Sequence, residues 1–182
     1  MRVLGLSGSL RSGSYNTSLL RAAGRLLPPP ADLEIYTDLA AVPPYSEDLD
    51  LERAHPAVEQ LRRAIASADA LLIATPEYNS SIPGHLKNAV DWVSRPFPDN
   101  VLRRKPVAVI GASTGLFGAV WAQAELRKVL TTLGAAVLDA EVAVPAAHAA
   151  FADDGRLRDP RLATALQRTV DELAASQASR AA

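Results

Sequence analysis

The chain alternates five times between a short apolar run and a longer segment with apolar residues at helical spacing. The apolar runs cover residues 3–6, 33–36, 70–75, 107–112 and 136–144, and the helical segments cover 16–27, 56–68, 83–94, 119–133 and 160–176. The third and fourth runs, ALLIAT and VAVIGA, are apolar on both faces, as buried parallel strands are. This alternation predicts an α/β fold in which helices cover both faces of a parallel sheet.

In such folds ligands bind where the strands end at their carboxyl termini, so the loops directly after strands are the candidate site. Three of these loops have unusual compositions: SGSLRSGSYN at 7–16, PEYNSSIPG at 76–84 and ASTGLFGA at 112–119. We expect them to meet at one edge of the sheet if their strands are neighbours.

The first loop has the composition of an anion site. It leads into a helix, whose first N–H groups carry partial positive charge, and it supplies serine hydroxyls and the guanidinium of Arg11. Its glycines fit neither G-x-x-x-x-G-K-[ST] nor G-x-G-x-x-G, which disfavours a nucleoside triphosphate or a dinucleotide. A monophosphate fits better. A serine- and glycine-rich turn that ends in a helix cap remains the alternative.

The second loop, PEYN at 76–79 followed by Pro83 and Gly84, places an aromatic side chain and backbone amides after a buried strand. Such a loop can present these groups at the same edge of the sheet as the first loop. The alternative is that Tyr78 covers the core and that Asn79 serves the turn.

The composition of the chain limits its domain count, its partners, its location and its metal sites. The 182 residues are expected to form one domain over 1–176 with a disordered tail at 177–182, and the 19 basic and 20 acidic residues leave no field that attracts nucleic acid or a membrane surface. The chain has no cysteine and no apolar segment of about 20 residues, so we expect a cytoplasmic protein. Its three histidines are scattered, so no metal site is expected.

Four segments together resemble a known family. GSLRSGSYN at 8–16, PEYNSSIPGHLKNAVDWVSR at 76–95, ASTGLFG at 112–118 and LRKVLTTLG at 126–134 are similar to the defining segments of the NADPH-dependent FMN reductases. The resemblance extends from Val3 to about Asp159. It implies a flavodoxin-like three-layer α/β/α sandwich with a five-stranded parallel sheet in the order 2-1-3-4-5.

The resemblance also implies the roles of particular residues. The FMN phosphate would lie among polar residues of the first loop: Ser9, Arg11, Ser14, Asn16 and Thr17. The flavin ring would lie against residues of the second and third loops: Pro76, Glu77, Tyr78, Asn79, Ser113 and Gly115. No side chain is expected to act as a proton-transfer catalyst, because FMN carries the redox chemistry.

The implied activity is ping-pong transfer of hydride from NADPH or NADH to FMN and then to a quinone, flavin, azo compound or metal oxyanion. The family often has arginine where this chain has Trp121, which leaves the choice between NADPH and NADH open. Family habit and the apolar helix after PEYN indicate a homodimer or homotetramer. A flavodoxin-like electron carrier and a non-catalytic FMN-binding regulatory domain are the alternatives.

Overall fold

The computed structural model describes residues 1–52 and 55–178. The strands are β1 (Arg2–Ser7), β2 (Asp32–Tyr36), β3 (Ala70–Thr75), β4 (Pro106–Ala112), β5 (Ala136–Val137) and β6 (Ala143–Val144). The α-helices are α1 (Tyr15–Gly24), α2 (Glu47–Glu52), α3 (Pro56–Ser67), α4 (Gly84–Val93), α5 (Val120–Thr132) and α6 (Pro160–Ala178). One 3₁₀ turn covers Leu39–Ala41.

The sheet is parallel throughout and has the order β2-β1-β3-β4-β5, with β6 also paired to β4. This confirms the predicted flavodoxin-like topology. Every residue of β3 and β4 is buried, as their apolar runs predicted. Because β1, β3 and β4 are neighbours, the three loops that follow them leave the sheet side by side.

The prediction of one continuous fifth strand over residues 136–144 was wrong. Ala136 pairs with Pro106 and Ala143 pairs with Gly111, so the edge segment advances seven residues while β4 advances five. The two surplus residues cannot pair with β4, and the ladder therefore breaks into β5 and β6. The sheet consequently has six strands rather than five.

The two faces of the sheet carry separate helical layers. On one face, α3, α4 and α5 pack through residues such as Leu61, Trp92 and Leu126 onto alternate side chains of the strands. On the other face, α1 and α6 pack through residues such as Leu20 and Val170. The period-two alternation of side chains along each strand divides the core between these layers, which gives the predicted α/β/α sandwich.

The helices differ from the sequence prediction in two places. Helix α1 ends at Gly24, before the predicted end at residue 27, because glycine is a poor helix former and three prolines follow at 28–30. The structure also contains α2, which was not among the predicted helices. Its acidic first turn complements the helix dipole, and Asp50 pairs with Arg62 of α3 at 2.8 Å.

Helix α6 includes residues 177 and 178, the first two of the predicted tail, whereas 179–182 lie outside the described residues. The single domain over 1–176 stays a prediction. Within residues 1–52 and 55–178, no helix is both long enough and apolar enough to cross a bilayer.

Candidate functional site

The first loop is organised by hydroxyl groups that bond one another. The Ser14 hydroxyl accepts from the Thr17 N–H at 3.2 Å and so caps α1. The Thr17 hydroxyl donates to the Ser7 hydroxyl at 3.0 Å, and the Ser7 oxygen also accepts from the Ser9 N–H. These bonds hold the loop in a fixed turn. The side chains of Ser14 and Thr17 are therefore engaged in shaping the loop.

Asn16 joins the first loop to the third. Its buried amide accepts from the Ala112 N–H and donates to the Ala112 carbonyl, both at 3.0 Å. These bonds span 96 residues of sequence and fix the end of β4 to the start of α1. The side chain that was predicted to contact phosphate thus also serves as a structural link between two walls of the site.

Arg11 is the cation at the exposed tip of the loop. Its guanidinium carbon lies 4.8 Å from the centre of the Tyr15 ring. Within the described residues, no carboxylate lies within ion-pair distance of this guanidinium. Its hydrogen-bond donors are available to an anion, and the N-terminus of α1 adds partial positive charge beside it.

The second loop forms a tight turn after Pro76. Tyr78 and Ser81 exchange two backbone hydrogen bonds of 3.1 Å, and between them Asn79 and Ser80 have φ of 53° and 60°. Asparagine tolerates this left-handed region better than most residues. The turn leaves the Tyr78 side chain 51% exposed. It also occupies the Tyr78 N–H, which is therefore not available to a ligand.

The third loop requires glycine at one position. Gly118 has φ of +60°, and a Cβ there would lie 2.5 Å from the Ala143 carbonyl carbon and 2.6 Å from the Val144 nitrogen. The loop thus passes directly over β6. Ser113 is held by its own turn, since its hydroxyl accepts from the Gly115 N–H at 3.1 Å. Leu116 and Phe117 project outward and are largely exposed.

The three loops enclose one cleft of about 320 Å³ at the carboxyl edge of the sheet. The predicted residues that line it are Ser9, Arg11, Asn16, Pro76, Glu77, Tyr78 and Ser113. Four other predicted residues are near but outside the lining: Ser14, Thr17, Asn79 and Gly115. Tyr15, Ala112 and Thr114 line the cleft and were not predicted, although Tyr15 directly follows the helix cap and could have been found from that position.

The chemistry of the cleft fits FMN. One end offers the free guanidinium of Arg11, the serine hydroxyls and a helix N-terminus, which together suit a phosphate monoester. The other end offers the Pro76 ring and backbone amides. Gly8 lets the first loop pass close to the second, because a Cβ there would lie 2.8 Å from Leu86 and 3.1 Å from Pro76.

A larger cavity of about 500 Å³ lies elsewhere, between the end of α1 and the start of α6. Most of its lining is apolar, and its arginines are engaged locally: Arg25 donates to the Gly155 carbonyl and Arg156 pairs with Asp154. It adjoins none of the three loops. The smaller cleft is therefore the better candidate on chemical grounds.

A profile of the NADPH-dependent FMN reductase family matches residues 1–149. The chain belongs to this family. Two relatives support the assignment, one of them over nearly the whole length of the chain. A protein of Pseudomonas aeruginosa named NAD(P)H-dependent FMN reductase is 46% identical over 174 residues, which is 95% of this chain and 93% of that protein. A quinone reductase of Escherichia coli is 41% identical over 140 residues, or 76% of this chain and 74% of its own length.

Solved structures agree. The NAD(P)H:acceptor oxidoreductase FerB of Paracoccus denitrificans has a TM-score of 0.87 and 36% identity, covering 98% of this chain and 97% of that one. The predicted family, and with it FMN and NAD(P)H as cofactor and reductant, is confirmed. The assignment of individual residues to phosphate and ring stays a prediction. Among the described residues, no cluster of three metal-ligating side chains occurs.

His85 lies at the start of α4 beside the first loop. Burial lowers its pKa below the ordinary value of 6.5, and a hydrogen bond to the Gly8 backbone partly opposes this effect. Its Nε2 is buried and, among the described residues, has no hydrogen-bond partner. A proton on this ring is therefore less favourable in the folded chain than in the unfolded one.

We expect His85 to make stability depend on pH. Because its folded pKa lies below its unfolded pKa, its contribution is complete above about pH 6.5 and is lost as pH falls through the folded value. The urea concentration at the midpoint of unfolding should decrease as the pH is lowered from 7 to 5, and His85→Gln should make this decrease smaller. His148→Gln, which changes an exposed histidine, is the matched control. Identical profiles for the native chain and His85→Gln would contradict the expectation.

Proposed function

We propose that this chain is an NAD(P)H-dependent FMN reductase that passes electrons to small-molecule acceptors by a ping-pong mechanism. The observation that carries the proposal is the cleft, which is lined by Arg11, Tyr15 and Asn16 from one part of the sequence and by Pro76–Tyr78 from another, and whose cation and helix N-terminus support binding of an anion. Its opening at the sheet edge can admit a reductant and an acceptor in turn. Family membership supplies the redox class.

When bound, FMN supplies the redox chemistry by taking hydride from NAD(P)H and returning electrons to the acceptor. The residues of the chain bind and orient. Arg11 and Ser9 hold the phosphate, while Pro76 and Ser113 flank the ring. The N–H groups of Glu77 and Asn79 stabilise negative charge on the pyrimidine side of the ring. No side chain needs to transfer a proton.

Steady-state kinetics of the purified holoprotein test the proposal. NADH or NADPH oxidation is followed with a naphthoquinone or free FMN as acceptor, and parallel double-reciprocal lines are expected. An electron carrier or a regulatory domain would retain yellow FMN without oxidising NAD(P)H. Bound FMN without NAD(P)H oxidation would contradict the reductase function.

The formal charge of −1 gives no support to the carrier alternative, since such carriers are strongly acidic.

An aromatic rim favours planar acceptors such as quinones. Phe117 and Trp121 form an edge-to-face pair with ring centres 4.9 Å apart, and both are exposed beside the cleft residue Glu77. Named quinone reductases occur among the relatives. A planar acceptor can gain about 0.5–1.5 kcal/mol from stacking on such a rim.

We expect Trp121→Ala to raise KM for a naphthoquinone about fivefold with little change in kcat, which is the loss of one stacking contact. The rate with ferricyanide, which cannot stack, should be unchanged. Phe97→Ala removes another exposed aromatic ring from a loop outside the cleft and serves as control. Equal KM values for the native chain and Trp121→Ala would contradict the stacking role.

Assembly as a homodimer or homotetramer in the cytoplasm completes the proposal. The apolar face of α4 does not support it, because Leu86, Trp92 and Val93 are buried within the chain. The exposed Leu116, Phe117 and Trp121 offer an apolar surface instead. Sedimentation velocity of the native chain and of Trp121→Ala measures assembly directly and shows whether this surface lies in an interface.

A further inference from the structure

The Glu77 side chain leaves its own loop and bonds to α5. Its Oε2 accepts hydrogen bonds from the Trp121 N–H at 3.0 Å and the Ala122 N–H at 3.1 Å. Helix α5 needs these bonds, because the residue at its N-cap position is Ala119, which has φ of 65° and no capping side chain. Glu77 thus caps α5 from a loop 44 residues away in sequence.

A second contact joins the same loop to α5 one turn further along. The Ser81 hydroxyl donates to Glu125 Oε2 at 2.7 Å. Between Glu77 and Ser81, the chain makes the tight turn closed by the two Tyr78–Ser81 bonds. The turn is therefore attached to α5 at both of its ends, and we refer to residues 77–81 with these two contacts as the clasp.

We propose that Glu77 is a positioning residue for FMN. Through its cap on α5, the Glu77 side chain holds the Pro76–Tyr78 wall of the cleft in the conformation that binds FMN. This inference rests on the proposed function. Pro76, Glu77 and Tyr78 line the cleft, and the Glu77 residue is half-buried with its Oε2 at the start of α5. Resemblance to the family placed Glu77 against the flavin ring. The geometry instead assigns its Oε2 to the first N–H groups of α5.

The physical reason is preorganisation. Without the carboxylate, the two α5 N–H groups lose their acceptor and the left-handed turn at Asn79 loses one of its two attachments. FMN would then have to order the wall on binding, and this cost would weaken its affinity. Loss of a cap of this kind corresponds to roughly a five- to tenfold change in an equilibrium constant.

Three substitutions separate reach, charge and hydrogen bonding. Glu77→Ala removes the acceptor, Glu77→Asp keeps the charge on a shorter side chain, and Glu77→Gln keeps an acceptor oxygen at full length without the charge. The dissociation constant of FMN is measured for each apoprotein from the quenching of flavin fluorescence. We expect it to rise about tenfold in Glu77→Ala, by a similar factor in Glu77→Asp, and less than threefold in Glu77→Gln.

Two further variants complete the design. Ser81→Ala removes only the second contact of the clasp and should weaken FMN binding two- to threefold, so it tests the inference even if Glu77→Ala does not fold. Glu141→Gln neutralises a carboxylate that pairs with Arg127 further along α5, and it should leave FMN affinity unchanged. Thermal unfolding of every apoprotein is recorded beside the titrations.

The outcomes are distinct. Glu77→Ala with a lower melting temperature and native FMN affinity would show a purely structural cap and overturn the inference. FMN binding as weak in Glu77→Gln as in Glu77→Ala would show that the charge of Glu77, and not its hydrogen bonds, matters. This result would also overturn the inference. Failure of the native chain to bind FMN would instead remove the proposed function. Weak binding in Glu77→Ala restored by glutamine supports the positioning role.

Discussion

Replacing Asn16 with alanine is expected to lower the free energy of unfolding by about 3 kcal/mol. The substitution deletes two buried hydrogen bonds and leaves the N–H and the carbonyl of Ala112 without partners, at about 1–3 kcal/mol for each buried group. Urea unfolding of the apoprotein measures the loss. Ser18→Ala, which removes a hydroxyl that donates to the Ser14 carbonyl at the start of the same helix, should change stability by less than about 0.5 kcal/mol.

The same substitution should also weaken FMN binding, because Ala112 precedes the Ser113 wall of the cleft. A double variant of Arg11 and Asn16 would therefore lose FMN for two reasons at once, and the two residues have to be tested separately. If the urea midpoint of Asn16→Ala equals that of the native chain, the link between α1 and β4 does not contribute to stability.

Replacing Arg11 with alanine should weaken FMN binding ten- to a hundredfold while the apoprotein keeps its stability to within about 1 kcal/mol. Charge-assisted hydrogen bonds to a phosphate contribute about 1.5–3 kcal/mol, whereas the guanidinium loses only its exposed contact with the Tyr15 ring in the apoprotein. FMN fluorescence titration and urea unfolding measure the two quantities.

Two companion variants sharpen this prediction. Arg11→Lys keeps the charge but not the planar fork, so its affinity should fall between those of the native chain and Arg11→Ala. Arg21→Ala removes another exposed arginine of the same helix, in its last turn and remote from the cleft, and should bind FMN normally. Native affinity in Arg11→Ala would show that the phosphate lies elsewhere.

Much of the fold could be predicted from the sequence because it depends on local patterns. The doubly apolar runs of β3 and β4 require burial on both faces, and the helical spacing between them requires crossover helices. Those two facts place the loops after β1, β3 and β4 at one edge. The broken edge strand could not be predicted, since the surplus of two residues exists only relative to the partner β4.

The same division applies to the site. Arg11 and the first loop could be recognised because their chemistry, hydroxyls and a cation before a helix, is written in consecutive residues. The roles of Asn16 and Glu77 could not, because their partners are the Ala112 backbone and the start of α5. Backbone groups have the same donors and acceptors at every position, so no residue type in the sequence marks which of them a distant side chain will meet.

The sequence by itself thus determined the α/β class and, through resemblance, the FMN reductase family, and it predicted an anion site at the carboxyl edge of the sheet. Only the tertiary structure decided which polar side chains of the three loops line the cleft and which hold its walls. The physical reason is that hydrophobic periodicity and helix polarity act over a few residues, whereas satisfaction of buried hydrogen bonds depends on groups brought together by the completed fold.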